Sequence, residues 1–345
     1  MNALLFGDPN ASLRWRAAVE LDDASEDDDD VKAWRVELDG SDDIRALLAR
    51  LAAAHDDPRA AGYLLCQLTH LGYRGPALAD AVEAMFAHQQ ADGSWPVWNA
   101  DYRPQPIRRR RGQAPSELPR AESYRFVTNQ TVVPLRGIAT AGFATDPRAE
   151  RSYDWLIDQR LNDGSWTGSH KADLGLDGRS SNEDPDYRKL NPGEGCRSAT
   201  TGAVACLALH PERSRSEAAR IGVAHLLAQN IRRAASLGWE VSRLVGLERA
   251  SGVFTFYVTH DLAFVLDLAS RCGFSPEDRR LNELVSYLES ARGPYGLWEH
   301  PVHPQLSRWL TFDIECSLRR LADGDWISSD DAVGRVPPQR ARRRY

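Results

Sequence analysis

The stretch FAHQQADGSW (86–95) recurs as LIDQRLNDGSW (156–166), so that Gln followed by Asp-Gly-Ser-Trp occurs twice. Asp and Gly are turn formers, and Gly accepts the positive φ that commonly ends a helix. The Trp ring can cover such a turn, and the Gln amide can reach carbonyls left open at a neighbouring helix end. Both copies follow an amphipathic helical segment. The motif therefore predicts a repeated turn at the end of a helix, with a structural role.

Two weaker copies of the turn follow at ASLGW (235–239) and ARGPYGLW (291–298). Trp95, Trp166, Trp239 and Trp298 are separated by 71, 73 and 59 residues. Each follows a helix that we expect on the outside of the fold and precedes a loop into the next inner helix. Common helical solenoid repeats are shorter, about 33–47 residues. The spacing thus predicts repeated helical hairpins of a different class.

Helical periodicity dominates the sequence, and two kinds of helix alternate. Amphipathic helices are predicted at 44–54, 77–89, 149–161, 216–231 and 281–291. Helices that are apolar or small almost all round are predicted at 62–72, 127–142, 198–209, 258–270 and 312–322. A helix without a polar face must be buried, and its Gly and Ala residues allow close approach. Segments 10–21 and 30–38 supply one more hairpin.

This alternation predicts an all-α fold, an α/α toroid in which inner helices surround an axis and outer helices wrap them, with about six hairpins. Residues 1–42 form a helical segment with an acidic linker, which we expect to belong to the same toroid. We expect residues 43–330 to form the toroid domain and residues 331–345 to form a basic, flexible tail. A chain of 345 residues is long enough for one large core.

Composition limits the partners that we expect. The net charge of −6 gives no reason to expect nucleic-acid binding. No stretch approaches the roughly 18 apolar residues of a membrane span, and the N-terminus lacks the features of a signal peptide. Five scattered cysteines argue against a disulfide framework. We therefore expect a cytoplasmic protein, either free or peripheral to a membrane.

Gln followed at two to five residues by Gly-x-Trp resembles the QW repeat of the squalene cyclase and protein prenyltransferase superfamily, whose members are α/α toroids. The resemblance is close at Gln89–Trp95 and at Gln159–Trp166, and weak at Trp239 and Trp298. It implies a central cavity that binds an isoprenoid chain. Aromatic rings near the starts of the inner helices suit such a chain and stabilise carbocations; the expected contacts are Phe126, Phe254, Phe256, Tyr257, Trp309 and Phe312.

One candidate centre is similar to the zinc region of the prenyltransferase β subunits. The resemblance implies Glu194, Cys196 and His260 as zinc ligands and Arg188 as a diphosphate contact. Carboxylate, thiolate and imidazole form a reasonable three-ligand zinc set with one position open for substrate. The sequence departs from that family in having Glu for Asp, Asn191 in place of a second cation and no α subunit.

The second candidate centre is the segment Asp313-Ile314-Glu315-Cys316-Ser317, which is similar to the acidic motif of class II terpene cyclases. A proton-initiated cyclase needs a carboxyl group that stays neutral, and burial beside another carboxylate supplies that shift. The motif departs in lying on the last inner helix and in having Glu at its middle acid. Asp261, next to His260, is a further acid–base candidate.

These features predict an isoprenoid-processing enzyme. The first choice is zinc-assisted prenyl transfer, with a second subunit or acceptor peptide as partner. The runner-up is cyclisation of a prenyl diphosphate or polyprene with Asp313 and Glu315 as proton donor. A third hypothesis is a non-catalytic toroid that binds a lipid or protein. A fourth is a glycosidase of the (α/α)₆ type, which the position of the Trp residues in turns disfavours.

Overall fold

A computed structural model describes residues 2–95, 127–167, 195–228, 235–248, 257 and 259–324. The described part is mostly helical, which confirms the all-α prediction. Its α-helices are α1 (Asn2–Phe6), α2 (Ala11–Leu21), α3 (Asp29–Asp39), α4 (Asp42–Ala53), α5 (Pro58–His70), α6 (Ala77–Phe86), α7 (Val127–Ile138), α8 (Pro147–Asp158), α9 (Arg197–Leu207), α10 (Glu217–Leu227), α11 (Trp239–Leu244), α12 (Leu262–Arg271), α13 (Arg279–Ser290) and α14 (Ser307–Ala322).

The only strands among these residues are β1 (Ala235–Ser236) and β2 (His260–Asp261), which pair in parallel. Sequence periodicity predicts no strand here and a helix from 258. The helix α12 instead begins at Leu262, because the Asp261 side chain accepts a hydrogen bond from the Ala263 N–H as its N-cap. The starts of α2, α4 and α8 are fixed in the same way by Asn10, Ser41 and Asp146.

The apolar helices pack against one another through small residues. The helices α5 and α7 make an extensive contact, and α7 also contacts α9. A side chain on Gly62 would meet the backbone of Val133 and Pro134, and one on Gly137 would meet the backbone of Gly62. Glycine is therefore required at both positions for this approach. A second group is formed by α12, α14 and α2, in which α14 contacts both neighbours.

The amphipathic helices contact the apolar ones. Contacts join α4 and α6 to α5, α8 to α7, α10 to α9, and α13 to α12. Buried apolar side chains form one cluster that extends from Leu5 to Leu321. No helix in the described ranges is long and apolar enough to cross a membrane.

Three of the four tryptophan turns share one geometry. The indole N–H of Trp95, Trp166 or Trp298 donates to the carbonyl of the residue ten positions earlier, at 3.1, 2.7 and 2.7 Å. The backbone N–H of the same three residues donates to a threonine hydroxyl on the next apolar helix. The threonines are Thr131, Thr200 and Thr311, at 3.2, 3.0 and 3.0 Å. Each turn thus ties an amphipathic helix to the apolar helix that follows it.

The glycine and glutamine of the turns act largely as the sequence predicts. Gly93, Gly164, Gly238 and Gly296 all have positive φ. The Gln89 amide donates to the Arg148 carbonyl at 2.8 Å and to the Ser152 hydroxyl at 2.7 Å, which joins the first turn to α8. The turn at Trp239 differs, because this half-buried residue begins α11 instead of covering a helix end.

Candidate functional site

A cavity of about 320 Å³ lies between the apolar helices. Residues of α2, α5, α7, α9, α12 and α14 line it, together with α11. Its charged lining residues are Arg16, Glu20, Arg74, Arg136, Glu240, Asp261, Asp267, Arg271 and Asp313. The sequence predicts an apolar cavity with aromatic walls. The cavity is instead charged, because most of the helices around it carry one or two ionisable residues that face it.

The Arg16 guanidinium forms hydrogen bonds with residues of its own helix, α2, and of the neighbouring helix α5. Its Nε and Nη2 donate to the two carboxylate oxygens of Glu20 at 2.7 and 2.8 Å. Its Nη1 donates to the His70 carbonyl at 2.8 Å and lies 3.3 Å from His70 Nδ1. A guanidinium can only donate, so Nδ1 accepts and the ring proton is on Nε2. Burial, with Arg16 and Arg136 nearby, lowers the pKa of His70 well below its usual value and keeps the ring neutral.

The Asp267 carboxylate pairs with two arginines. The Arg271 Nε donates to both of its oxygens at 2.9 Å, and Arg320 Nη2 pairs with one of them. Despite burial, which opposes ionisation, these cations hold the pKa of Asp267 below its ordinary value. Asp267 is therefore a carboxylate whose charge is balanced within the protein.

Asp313 differs from its neighbours. It is half-buried, lines the cavity, and its carboxyl group has no hydrogen-bond or ion-pair partner in the described part of the chain. Burial raises the pKa of Asp313 to about 7, while Arg16 opposes the rise and the charges of Asp267 and Glu20 add to it. The nearby arginines cannot compensate fully, since Arg16 and Arg320 are bound to other carboxylates. The Asp313 carboxyl group is thus partly protonated near neutral pH and accessible to a ligand.

Glu315, predicted to act with Asp313, lies away from this cavity. Its carboxylate pairs with Arg292 at 2.6 Å, next to the Trp298 turn. Two positions along a helix differ by roughly 200°, so the two acids of the motif face opposite sides. Burial, which Arg292 opposes, raises the pKa of Glu315. The structure therefore separates the two acids that the sequence pattern places together.

Asp261 lines the cavity but is occupied by the backbone. Its oxygens accept hydrogen bonds from the N–H groups of Gly238, Glu240 and Ala263, at 3.1, 2.6 and 3.1 Å. These bonds hold the starts of both α11 and α12. Burial raises the pKa of Asp261 to about 6, although the three donors favour the carboxylate. This arrangement fixes two helix starts and leaves little accepting capacity for a substrate.

The predicted zinc ligands are only partly described. Glu194 and Arg188 lie outside the described residues. Cys196 is half-buried at the N-cap of α9, and His260 is buried at the start of α12. Burial, with Arg197 nearby, lowers the pKa of His260 to about 4, and its Nε2 has no hydrogen-bond partner within the described ranges. No group of three metal-ligating side chains occurs among the residues that the structure describes.

The predicted aromatic contacts are core residues where the structure describes them. Tyr257, Trp309 and Phe312 are buried, and none lines the cavity. The face of Phe312 is covered by the Arg16 guanidinium, 4.5 Å from the ring centroid. Phe126, Phe254 and Phe256 lie outside the described residues. The phenyl ring that does line the cavity, Phe264, has the Arg136 guanidinium over it at 4.8 Å.

Sequence reasoning missed Arg16, His70, Arg136 and Asp267 as cavity residues. A signal was present: Arg136 and Asp267 are single charges within VVPLRGIATAG (132–142) and LAFVLDLAS (262–270), helices with no polar face. A charged residue at a buried position is retained only with a partner or a function. Comparisons with known protein families, with curated proteins and with solved structures found no match for this chain.

Proposed function

We propose that the chain is a closed α/α toroid and an isoprenoid-processing enzyme that protonates its substrate with Asp313. The toroid is supported by six helices, α2, α5, α7, α9, α12 and α14, which all contribute to one cavity. The isoprenoid class rests on the resemblance of the tryptophan turns to the QW repeat. The observation that carries acid chemistry is the cavity-facing Asp313, which has no partner among the described residues and a pKa near 7.

In this reaction the O–H bond of neutral Asp313 breaks as a C–H bond forms on an alkene carbon of the substrate. The electron pair of the O–H bond becomes a carboxylate lone pair, and the substrate becomes a cation. The Arg16 charge near Asp313 stabilises the new carboxylate. At a later step the cation loses a proton to water and becomes a hydrocarbon, or it adds water and then loses a proton to become an alcohol. Asp313 regains its proton from the solvent, so no net proton is consumed. The charged walls favour an isoprenoid with a polar group over a bare hydrocarbon.

Zinc-assisted prenyl transfer is the second candidate. The observation that favours it is the buried His260 Nε2, which has no hydrogen-bond partner in the described part and is available to a metal. Cys196 is the other described residue of the set, and Glu194 the third ligand that the resemblance implies. A bound zinc would activate a thiol acceptor. The two candidates involve different parts of the inner helices, because Cys196 and His260 lie at helix starts and Asp313 in the middle of α14.

The deciding experiment incubates the purified chain with prenyl diphosphates of several lengths and with polyprenes, with and without a chelator, and identifies products by mass spectrometry. Acid chemistry predicts cyclised hydrocarbons or alcohols that a chelator does not affect. Asp313→Asn should lower the rate at least a hundredfold, since general acids contribute about 10²–10⁴. The rate should also fall as the pH rises through about 7, because the protonated acid is the active form.

Glu315→Gln is the matched variant on the same helix. It should keep the wild-type rate within a few-fold, because Glu315 faces Arg292 and not the cavity. Loss of product in both variants would favour the acid pair that the sequence pattern predicts. Chelator-sensitive transfer that Cys196→Ala abolishes would establish the zinc candidate. Absence of any product with every substrate would leave a non-catalytic binding toroid.

A further inference from the structure

Arg136 is a buried cation on α7 that faces the cavity, with only 7% of the residue exposed. Its Nη1 donates to the Glu240 Oε1 at 2.6 Å and to the Tyr257 hydroxyl at 3.2 Å. Its guanidinium lies over the Phe264 ring, 4.8 Å from the centroid. The group is therefore held in place by an ion pair at one nitrogen and a ring against its face.

The remaining donors of Arg136 have no acceptor among the described residues. The Nε has no hydrogen-bond partner, and the hydrogen bonds that the guanidinium does make all involve Nη1. Nε and Nη2 form the edge of a guanidinium that binds two oxygens of one anion. By contrast, Arg16, which also lines the cavity, uses Nε, Nη1 and Nη2 on Glu20 and His70.

The acceptors near Arg136 are already used. Glu240 gives one oxygen to Arg136 and the other to Arg243. The oxygens of Asp261 are held by three backbone N–H groups. Burial raises the pKa of the Cys66 thiol, which keeps it neutral. Asp267, whose pKa Arg136 also helps to lower, is already paired with Arg271 and Arg320. Within the described ranges, Arg136 therefore pairs with no carboxylate other than Glu240.

The charge on Arg136 is balanced only in part. Glu240 carries a single negative charge and divides it between Arg136 and Arg243, so Arg136 does not have this carboxylate to itself. Arg136 and Glu240 are both buried. A buried charge that is incompletely balanced is costly. An anionic group in the cavity would complete the balance at Arg136 and satisfy its unused N–H donors at the same time.

We propose that Arg136 is an anion-binding residue that holds a phosphate, diphosphate or carboxylate group of a ligand inside the cavity. The free edge of its guanidinium is the recognition element, and Glu240 and Phe264 fix its orientation. Only the identity of the ligand rests on the proposed function: if the ligand is an isoprenoid, its polar end lies at Arg136. Binding of the anion itself requires no catalysis by Asp313.

The test is calorimetric titration of the full chain with sodium phosphate, sodium diphosphate, hexanoate and a prenyl diphosphate. We expect saturable 1:1 binding of at least one of them. Arg136→Gln should raise its Kd at least tenfold. The matched control is Arg213→Gln, because Arg213 also pairs with a glutamate and lies over a tyrosine ring, but outside the cavity. It should leave the Kd unchanged.

The ligands distinguish the sources of the anion. Equal affinity for sodium diphosphate and the prenyl ester indicates a site for a free anion, and at least tenfold tighter binding of the ester indicates a lipid ligand. Either result supports the site. Lack of saturable binding of all four probes, or an unchanged Kd in Arg136→Gln, overturns it.

Two further variants keep the test decisive. Arg136→Lys retains the positive charge and removes the planar pair of donors. It replaces Arg136→Gln as the test if circular dichroism shows that Arg136→Gln does not fold. It should raise the Kd, and an unchanged Kd again overturns the proposal. Asp313→Asn removes a partly ionised carboxyl group from the cavity, so it should bind the anion at least as tightly as the wild type. Binding without any product would then leave the anion site standing while the proposed reaction fails.

Discussion

The tryptophan turns and the cavity differ in how completely their polar groups are hydrogen-bonded. At the turn of Trp166, the indole N–H, the backbone N–H and the Ser165 hydroxyl each have a short hydrogen bond. In the cavity, within the described part of the chain, Asp313 has no partner and Arg136 keeps an edge without one. The two regions share three helices, because α7, α9 and α14 line the cavity and also carry the threonines that bind the turns.

A satisfied polar group contributes to stability, whereas an unsatisfied one costs stability. Residues of the first kind should therefore lower stability when they are replaced. Residues of the second kind should leave stability unchanged or raise it, and should be needed for a ligand. This difference separates scaffold from function without reference to any relative, and it can be tested by substitutions in each region.

The largest effect on stability is expected at Trp166. This residue is fully buried, and its indole N–H ends α8 by binding the Leu156 carbonyl at 2.7 Å. Trp166→Ala should lower the free energy of unfolding by about 3–5 kcal/mol, since it leaves a large cavity and an unpaired carbonyl. Urea denaturation followed by circular dichroism measures the change.

Trp239→Ala is the control for that change. Trp239 is half-buried and begins α11 without covering a turn. The loss should be less than half of that at Trp166, because less surface returns to water. Equal losses at both positions would show that the turn geometry has no special role.

Much of the fold followed from the sequence. The alternation of amphipathic and apolar helices, the positive φ of Gly93 and Gly164, and the structural role of the tryptophans all follow from local periodicity and turn chemistry. The threonines that accept hydrogen bonds from the tryptophan backbone N–H groups could not be predicted in this way. Thr200 is one of several small residues in SATTGAVACLAL (198–209), and only the packing of the next hairpin selects it.

The cavity was harder to predict, because its charge results from which side of each helix faces inward. Asp313 is identifiable from the sequence as a candidate acid, whereas its pairing with Glu315 follows from sequence proximity alone. The helix turns these two side chains to different surroundings. In the sequence, Arg136 and Asp267 are single charges in apolar helices. Their roles depend on partners that are distant in the chain, such as Glu240 and Arg320.

A smaller effect, of opposite sign, is expected at Asp313. Its pKa of about 7 in the folded protein lies above the usual value of 3.8. Below about pH 4 the carboxyl group is protonated in both the folded and the unfolded state, and the free energy of unfolding is not reduced. As the pH rises from about 4 to about 7, ionisation of Asp313 in the unfolded state lowers the free energy of unfolding. Asp313→Asn cannot ionise. It should match the wild type near pH 4 and exceed it by roughly 2 kcal/mol at pH 8, after allowance for partial exposure.

Asp278→Asn provides the comparison for Asp313. Asp278 caps α13 and pairs with Arg280, and despite burial these contacts lower its pKa. Its contribution is present at neutral pH and is lost in acid, so the Asn variant should be less stable than the wild type at pH 7. Unfolding free energies measured from pH 2 to pH 8 test both signs, because the contribution of Asp278 is lost only below its ordinary pKa of 3.8. A loss of stability at pH 8 in Asp313→Asn would show that its carboxylate has a partner.

The smallest effect is expected at Thr200, whose hydroxyl accepts the Trp166 backbone N–H at 3.0 Å. Thr200→Val keeps the shape of the side chain but leaves this buried N–H without an acceptor, which should cost about 1–2 kcal/mol. The neighbouring Thr201 donates to the Arg197 carbonyl of its own helix, a group that the helix already satisfies. Thr201→Val should therefore cost less than Thr200→Val. If urea denaturation gave equal losses for the two variants, the hydrogen bond between the turn and α9 would add nothing beyond ordinary packing.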